Sequence, residues 1–164
     1  MNKFWIPILA IFGSTLLTTA VFADSPHFIS ATSSHDSSGN LICSFKEAGL
    51  GNLGVTSIKI TCSASATATY ECVNGGSKHP QAANKETVTS PVSKDGTFPI
   101  RNGQTTGSLT VSPPSAGSFT CPSGQTLILA SVTYSGITVS GAGASTLTSP
   151  DTQTFTNPNA PTHP

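Results

Sequence analysis

Charged side chains are scarce in this sequence. Seven Lys and Arg residues are balanced by seven Asp and Glu residues, and together they form 9% of the 164 residues. Nucleic-acid binding depends on clustered Lys and Arg side chains that neutralise phosphates, whereas the few basic residues here are scattered along the chain. The composition therefore argues against a nucleic-acid partner.

Aromatic residues are also few, and the only Trp lies near the N-terminus. The single Trp is Trp5, and the single Met is Met1. If the first residues are removed on export, the chain loses its Trp, which is the commonest stacking platform for sugars and bases. Tyr70 and Tyr134 then remain for that purpose. No window shows an apolar helical stripe with caps, so the sequence predicts no helical fold.

Catalytic motifs are missing. There is no G-x-S-x-G, no H-E-x-x-H and no Walker loop, because segment 103–108 lacks the Lys that would contact phosphate. The four cysteines include no C-x-x-C pair, which argues against a metal site. We therefore predict no catalytic residue, no cofactor and no metal, and an unrecognised enzyme is the least favoured class.

The N-terminal residues have the pattern of a secretory signal peptide. A basic start is followed by an apolar run at 4–17 and by Val21-Phe22-Ala23 at the usual cleavage positions. Cleavage near Ala23 leaves Asp24 as the first residue, so no lipoprotein cysteine is created. The apolar run is too short for a membrane span, and we predict no stable membrane insertion. Export would place the cysteines in an oxidising compartment.

The most regular pattern lies between Ser57 and Cys72. Even positions carry Ile58, Ile60, Cys62, Ala64, Ala66, Ala68, Tyr70 and Cys72, and odd positions carry polar residues. This period of two predicts a strand with one buried and one solvated face, as antiparallel sheets have. Because the segment is longer than most strands, we expect a bend or bulge near the small residues 64–66.

Shorter alternating segments follow along the chain. Further strands are predicted at residues 28–31, 41–46, 86–92, 97–101, 108–111, 118–121 and 126–139. A change of parity at Ser135-Gly136 indicates a bulge in the last strand. Turn formers such as Lys94-Asp95-Gly96 separate the strands. About eight short strands predict an all-β fold, an immunoglobulin-like antiparallel β-sandwich stapled by disulfides.

Three segments divide the chain. Residues 1–23 are the predicted signal peptide, and residues 24–148 form one domain of a size that supports a single core. Residues 149–164 are rich in Pro, Thr and Asn. This composition predicts a disordered tail.

The four cysteines allow three pairings. A Cys62–Cys72 bridge would need a hairpin between them, yet the intervening residues include no turn former. Cys43 and Cys62 flank the turn-rich segment 49–54, and an antiparallel hairpin would place them opposite each other. We therefore predict Cys43–Cys62 within a hairpin and Cys72–Cys121 as a bridge that could tie the two sheets together.

The densest polar segment is the predicted loop at 74–86. Its candidate ligand-binding side chains are Asn74, Lys78, His79, Asn84 and Lys85. The cationic groups and two adjacent glycines could form an anion-binding surface. The competing interpretation is a solvated loop whose Asn side chains hold its own turns.

Other polar residues offer weaker candidates. His35-Asp36 could suggest part of a catalytic triad, but the pair lies in a Ser-rich turn and is better interpreted as solvated. Glu47, Glu71 and Glu86 could supply an acid and a base. Against this, the alternation places Glu71 on the solvated face of its strand.

Several strings bring a resemblance to known proteins. They are SFKEAGLG at 44–51, YECVNGG at 70–76, HPQAANK at 79–85, GSLTVSPP at 107–114 and CPSGQTLILASVTY at 121–134. The chain resembles a family of small secreted microbial proteins without an assigned function, over most of 27–139. The resemblance implies that Cys72 and Cys121 form the family's bridge and that Cys43 and Cys62 are additional. It supplies no active-site residues.

These observations predict a secreted binding or surface-interaction module that is not an enzyme, with an unknown partner outside the cell or in the envelope. The alternative is a structural or protective extracellular protein without a specific ligand. Fold alone does not choose between them, because sandwiches of this kind host many functions.

Overall fold

The computed structural model of the chain describes residues 25–74 and 84–160, and these form an all-β fold. The strands are β1 (His27–His35), β2 (Leu41–Ala48), β3 (Ser57–Asn74), β4 (Lys85–Pro99), β5 (Thr105–Val111), β6 (Gln125–Ser140), β7 (Ser145–Leu147) and β8 (Thr152–Thr156). Every strand pair is antiparallel. The predicted all-β, antiparallel character is confirmed.

Two sheets form a sandwich-like arrangement. The smaller sheet has the order β1-β2-β5, and the larger has the order β4-β3-β6, with β7 and β8 both pairing with β6. The core between them draws on both sheets, and its largest fully buried aliphatic and aromatic side chains are Leu41, Leu50, Ile60, Val132, Tyr134, Ile137 and Val139. Within the described part of the chain, no helix has the length and hydrophobicity that crossing a membrane requires.

Strand β3 follows the predicted alternation. Its even positions from Ile58 to Ala68 are buried, and its pairing with β6 shifts register between Ser63 and Ser65. The extra residue lies in β6 beside Gly136, whose φ of 60° is a left-handed conformation that favours glycine. The bulge predicted in β6 is therefore confirmed, and it lies beside residues 64–66 of β3, where a bend or bulge was expected.

Strand β4 corrects one prediction. Lys94-Asp95-Gly96 was expected to be a turn between two strands, but β4 is continuous over 15 residues. Gly96 lies opposite Ile60 on the inner face, where an added Cβ would lie 3.0 Å from Leu109. Glycine is needed there because the two sheets approach closely, not because the chain turns.

Two further predictions were wrong at the C-terminal side. Residues 118–121 form no strand, and the Phe119 N–H donates to the Ala116 carbonyl in a turn. The tail expected to be disordered from residue 149 contains β8, which pairs with β6 and buries Phe155. Segment 152–156 also alternates, and burial of one aromatic ring stabilises it despite its polar composition.

Both predicted disulfides are present, but it is Cys43–Cys62, and not Cys72–Cys121, that joins the two sheets. Cys43 and Cys62 are fully buried, with Cα atoms 6.3 Å apart, and they join β2 to β3 across the core. The predicted hairpin is wrong, because β2 pairs with β1 and β5 instead. Cys72–Cys121 ties the end of β3 to segment 112–124 and does not connect the sheets. Two disulfides are typical of proteins in an oxidising environment.

Candidate binding face

The predicted ligand loop lies largely outside the described residues. Lys78 and His79 fall there, Asn74 is exposed at the end of β3, and Asn84 and Lys85 are half-buried. The Lys85 ammonium lies 3.1 Å from the carboxylate of Glu71. Lys85 therefore forms an ion pair within the sheet, which is a structural use of this cation.

Glu71 corrects the prediction that it is solvated. It is only 3% exposed, although it lies at an odd position of β3, and it forms its ion pair with Lys85 on the neighbouring strand. A buried carboxylate requires such a partner, because removing it from water is costly.

Glu47 is a second buried carboxyl group. It is fully buried, one oxygen accepts the Ala142 N–H at 3.1 Å, and the other has no hydrogen-bond partner among the described residues. Burial raises the pKa of Glu47, while the Ala142 N–H and the charge of His27 oppose the increase. The group is therefore held towards its neutral form.

The two buried carboxyls cannot act as one acid/base pair. A side chain added at Gly141 would collide with both Glu47 and Ile60, which places Glu47 near the start of β3. Glu71 lies eleven residues farther along the same strand, roughly 36 Å at 3.3 Å per residue. Glu86, the third candidate, is exposed.

The other polar candidates are used within the fold. The Asp36 carboxylate accepts the backbone N–H groups of Ser38 and Asn40, each at 2.9 Å, and the pKa of Asp36 is lowered mainly by its hydrogen bond to the Asn40 side chain. The Tyr70 hydroxyl donates to a backbone carbonyl at 2.6 Å, and that of Tyr134 does so at 2.8 Å. Neither tyrosine is available as an exposed stacking platform.

The outer face of the larger sheet carries a two-dimensional array of hydroxyl groups, which we call the hydroxyl grid. Strand register arranges it in three rows across β4, β3, β6 and β8. The rows are Thr87-Thr69-Ser131-Thr156, Thr89-Thr67-Thr133-Thr154 and Pro91-Ser65-Ser135-Thr152. Eight of the twelve positions are Thr, three are Ser, and one corner is Pro91.

Hydrogen bonds connect neighbouring hydroxyls within the grid. Thr67 and Thr89 lie 2.9 Å apart at their hydroxyl oxygens, and Thr133 and Thr154 lie 3.2 Å apart. These four residues form the central row, and all four are exposed. Threonine is stiff at χ1, so the hydroxyls have defined positions before any ligand arrives.

Ion pairs lie at both ends of the grid, and no grid position carries a charge, although the Asp151 carboxylate accepts a hydrogen bond from the corner residue Thr152 at 3.4 Å. Lys85 pairs with Glu71 at one end, and Lys59 pairs with Asp95 at 3.3 Å at the other. Next to the bulge, beside the third row, lies a depression of about 480 Å³, lined by Ser63, Ala64, Ser65, Pro91, Val92, Ser93 and Gly136.

Sequence reasoning found the Ser and Thr positions of β3 but not the grid. Each row joins four strands, and its two outermost members are separated by more than 60 residues along the chain. The available signal was the run of small hydroxyl residues at odd positions of β3, without a single charge between Thr61 and Thr69. The alternation predicts a solvated face there, but it does not show which strands lie beside β3.

Comparison with protein-family models, with curated proteins and with solved structures gave no match to this chain. Within residues 25–74 and 84–160, no group of three or more His, Cys, Asp or Glu side chains could hold a metal ion.

Proposed function

We propose that this protein is a secreted, non-enzymatic binding module and that the hydroxyl grid is its binding surface. The grid is the observation that supports the proposal: eleven hydroxyl side chains in register on one sheet face, with no charge among them. Exposed sheet faces usually mix charged and polar side chains for solubility. A face whose only polar side-chain groups are uncharged hydroxyls gives up this gain in solubility, which is consistent with a surface that contacts a partner.

The chemistry of the grid favours an extended, uncharged partner. Each hydroxyl both donates and accepts hydrogen bonds, and each such bond contributes only about 1 kcal/mol net. Useful affinity therefore needs many contacts at once. Stiff threonine side chains reduce the entropy lost on binding, so a broad surface can be engaged at a modest cost per group.

The proposed location is outside the cell or in the envelope. The signal-peptide pattern at residues 1–23 and the two disulfides both support export. Outside the cell or in the envelope, the proposed partner is an exposed surface. The structural or protective alternative is supported by the disulfide that joins the sheets, but it offers no reason for the uniform grid.

We also propose the immunoglobulin-like assignment for the sandwich. The strand orders β1-β2-β5 and β4-β3-β6-β7 support it, because they match the A-B-E and C′-C-F-G orders of that fold. The bridge in this chain joins the second and third strands, whereas antibody domains join B to F.

Saturable retention of the mature chain, Asp24 to Pro164, tests the proposed function. The protein would be incubated with whole cells, envelope fractions and insoluble polysaccharides, beside a reduced and unfolded control. We expect saturable retention that Thr67→Lys and Thr133→Lys abolish. Thr32→Lys is the matched control, because Thr32 is exposed on the smaller sheet.

Two results would contradict the proposal. Equal retention of Thr67→Lys, Thr133→Lys and Thr32→Lys would remove the grid as the binding surface. Loss of retention in Lys78→Ala with His79→Ala, with the grid variants unaffected, would transfer the site to the loop at 74–86. Circular dichroism of each variant checks that the fold is unchanged.

A further inference from the structure

The hydroxyl grid repeats in two dimensions. Neighbouring strands lie about 4.8 Å apart, and alternate residues along a strand lie about 6.6 Å apart. The central row repeats the same residue four times, as Thr89, Thr67, Thr133 and Thr154. A small soluble ligand would contact only a few of these positions. A periodic array gains affinity from all its members only against a surface that is itself periodic, and this favours a crystalline ligand.

The charge distribution excludes an ionic crystal. A mineral surface would be recognised by carboxylates or ammonium groups, and the grid contains neither. The ion pairs Lys85–Glu71 and Lys59–Asp95 lie at its two ends, and each pair compensates itself. One further charge borders the grid at a corner, where the Asp151 carboxylate accepts a hydrogen bond from Thr152 at 3.4 Å. The crystal that the grid fits is therefore uncharged.

The absence of exposed rings disfavours a crystalline polysaccharide. Sugar rings present apolar C–H faces that pack against aromatic side chains. Among residues 25–74 and 84–160, every Phe and Tyr side chain is buried or half-buried. Hydroxyls alone must then supply the contact.

Ice meets all these conditions, and we infer that ice is the surface that the hydroxyl grid binds. This inference rests on the proposed function. A threonine hydroxyl donates and accepts as water does, and its methyl group adds an apolar contact. Neighbouring hydroxyl oxygens lie 2.9 Å apart at Thr67 and Thr89, 3.2 Å at Thr133 and Thr154 and 3.3 Å at Thr69 and Thr87, and the shortest of these is close to the roughly 2.8 Å of an O–H···O hydrogen bond between waters. Members of the grid can thus take the place of water molecules at the edge of the lattice.

The test measures incorporation of the mature protein into slowly growing ice. The protein concentration in the ice is compared with that in the remaining liquid, and the difference between the melting and freezing temperatures is measured on the same samples. We expect enrichment in the ice and a measurable gap between the two temperatures. Both should be lost in Thr67→Lys and Thr133→Lys and kept in Thr32→Lys.

Exclusion of the native protein from the ice, to the same extent as the Thr133→Lys variant, would overturn the inference. The retention assay separates this failure from failure of the proposed function. Grid-dependent retention on an insoluble polysaccharide or envelope fraction, without enrichment in ice, would mean that the hydroxyl grid is the binding surface but that its ligand is not ice. If the grid contributed to binding of none of these materials, ice included, both the proposed function and the ice inference would be refuted.

Discussion

Glu47→Gln is expected to stabilise the protein at neutral and alkaline pH while changing its stability little in acid. Glu47 is fully buried, and among the described residues it has one hydrogen bond, from the Ala142 N–H. Burial raises the pKa of this carboxyl above its usual value of 4.5, and the Ala142 N–H and the charge of His27 oppose that effect. The native state therefore keeps a proton that the unfolded chain releases.

The sign of the pH dependence follows from this difference. Below pH 4.5 both states are protonated and the contribution of Glu47 to stability is fully present. As pH rises from there through the raised native pKa, the native state binds more protons than the unfolded state, so the free energy of unfolding decreases. Leaving a buried polar group unsatisfied costs about 1–3 kcal/mol, and a charged carboxylate costs more. We expect the free energy of unfolding of the native protein to decrease by at least about 1–3 kcal/mol over this pH range, and that of Glu47→Gln to stay nearly constant.

Urea unfolding between about pH 4 and pH 8, with the disulfides intact, measures this effect. Glu86→Gln is the matched control because Glu86 is exposed. The charge of His27 on β1 acts on the Glu47 carboxyl, so His27→Gln separates the effect of that charge from the titration of the carboxyl. If the native protein and Glu47→Gln show parallel stability over the whole range, Glu47 is ionised in the fold and the reasoning fails.

Two further predictions concern the packing of Gly39 and the burial of the two tyrosines. Gly39→Ala is expected to destabilise by about 1–3 kcal/mol, more than Gly124→Ala, by urea unfolding. Both glycines have positive φ, but only at Gly39 would an added Cβ lie 2.7 Å from Phe155. Equal losses of unfolding free energy in the two variants would contradict this packing. An alkaline absorbance titration should show Tyr134 ionising at about pH 12, because burial raises its pKa, and burial also raises that of Tyr70. Complete ionisation of both near pH 10 would refute this.

Features of the fold that local periodicity alone decides could be predicted from the sequence. The alternation from Ile58 to Ala68 identified β3 and its buried face, and the parity change at Gly136 identified the bulge in β6. Both features follow from a side-chain period of two, which a single strand reveals by itself.

Features that depend on contacts between strands distant in sequence were predicted wrongly or missed. Cys43 and Cys62 were paired correctly through a hairpin that does not exist, because inward-facing residues of opposite sheets meet as readily as residues of one hairpin. Gly96 looked like a turn former, yet its function is close packing against Leu109. Neither the sheet assignment of β2 nor the approach of β5 can be read from local pattern.

The two buried carboxyl groups were missed for different reasons, one local in the sequence and one that depends on tertiary structure. Glu47 has the same parity as Leu41 and Phe45, so its burial could have been predicted by extending the alternation of β2 by one step. Glu71 has the parity of a solvated residue, and its burial depends on Lys85 of the neighbouring strand. The hydroxyl grid likewise emerges only when register sets four strands side by side.

Lysine acetylation of the bound protein tests most directly that the hydroxyl grid is the contact surface. Lys59 lies on the grid face with an exposed side chain, whereas Lys46 lies on the outer face of the smaller sheet. The modification of each would be compared between the free protein and protein retained on the insoluble fraction that binds it best. We predict protection of Lys59 on binding, with Lys46 modified as in the free protein. Protection of Lys46 with continued modification of Lys59 would place the contact on the opposite sheet and contradict the account.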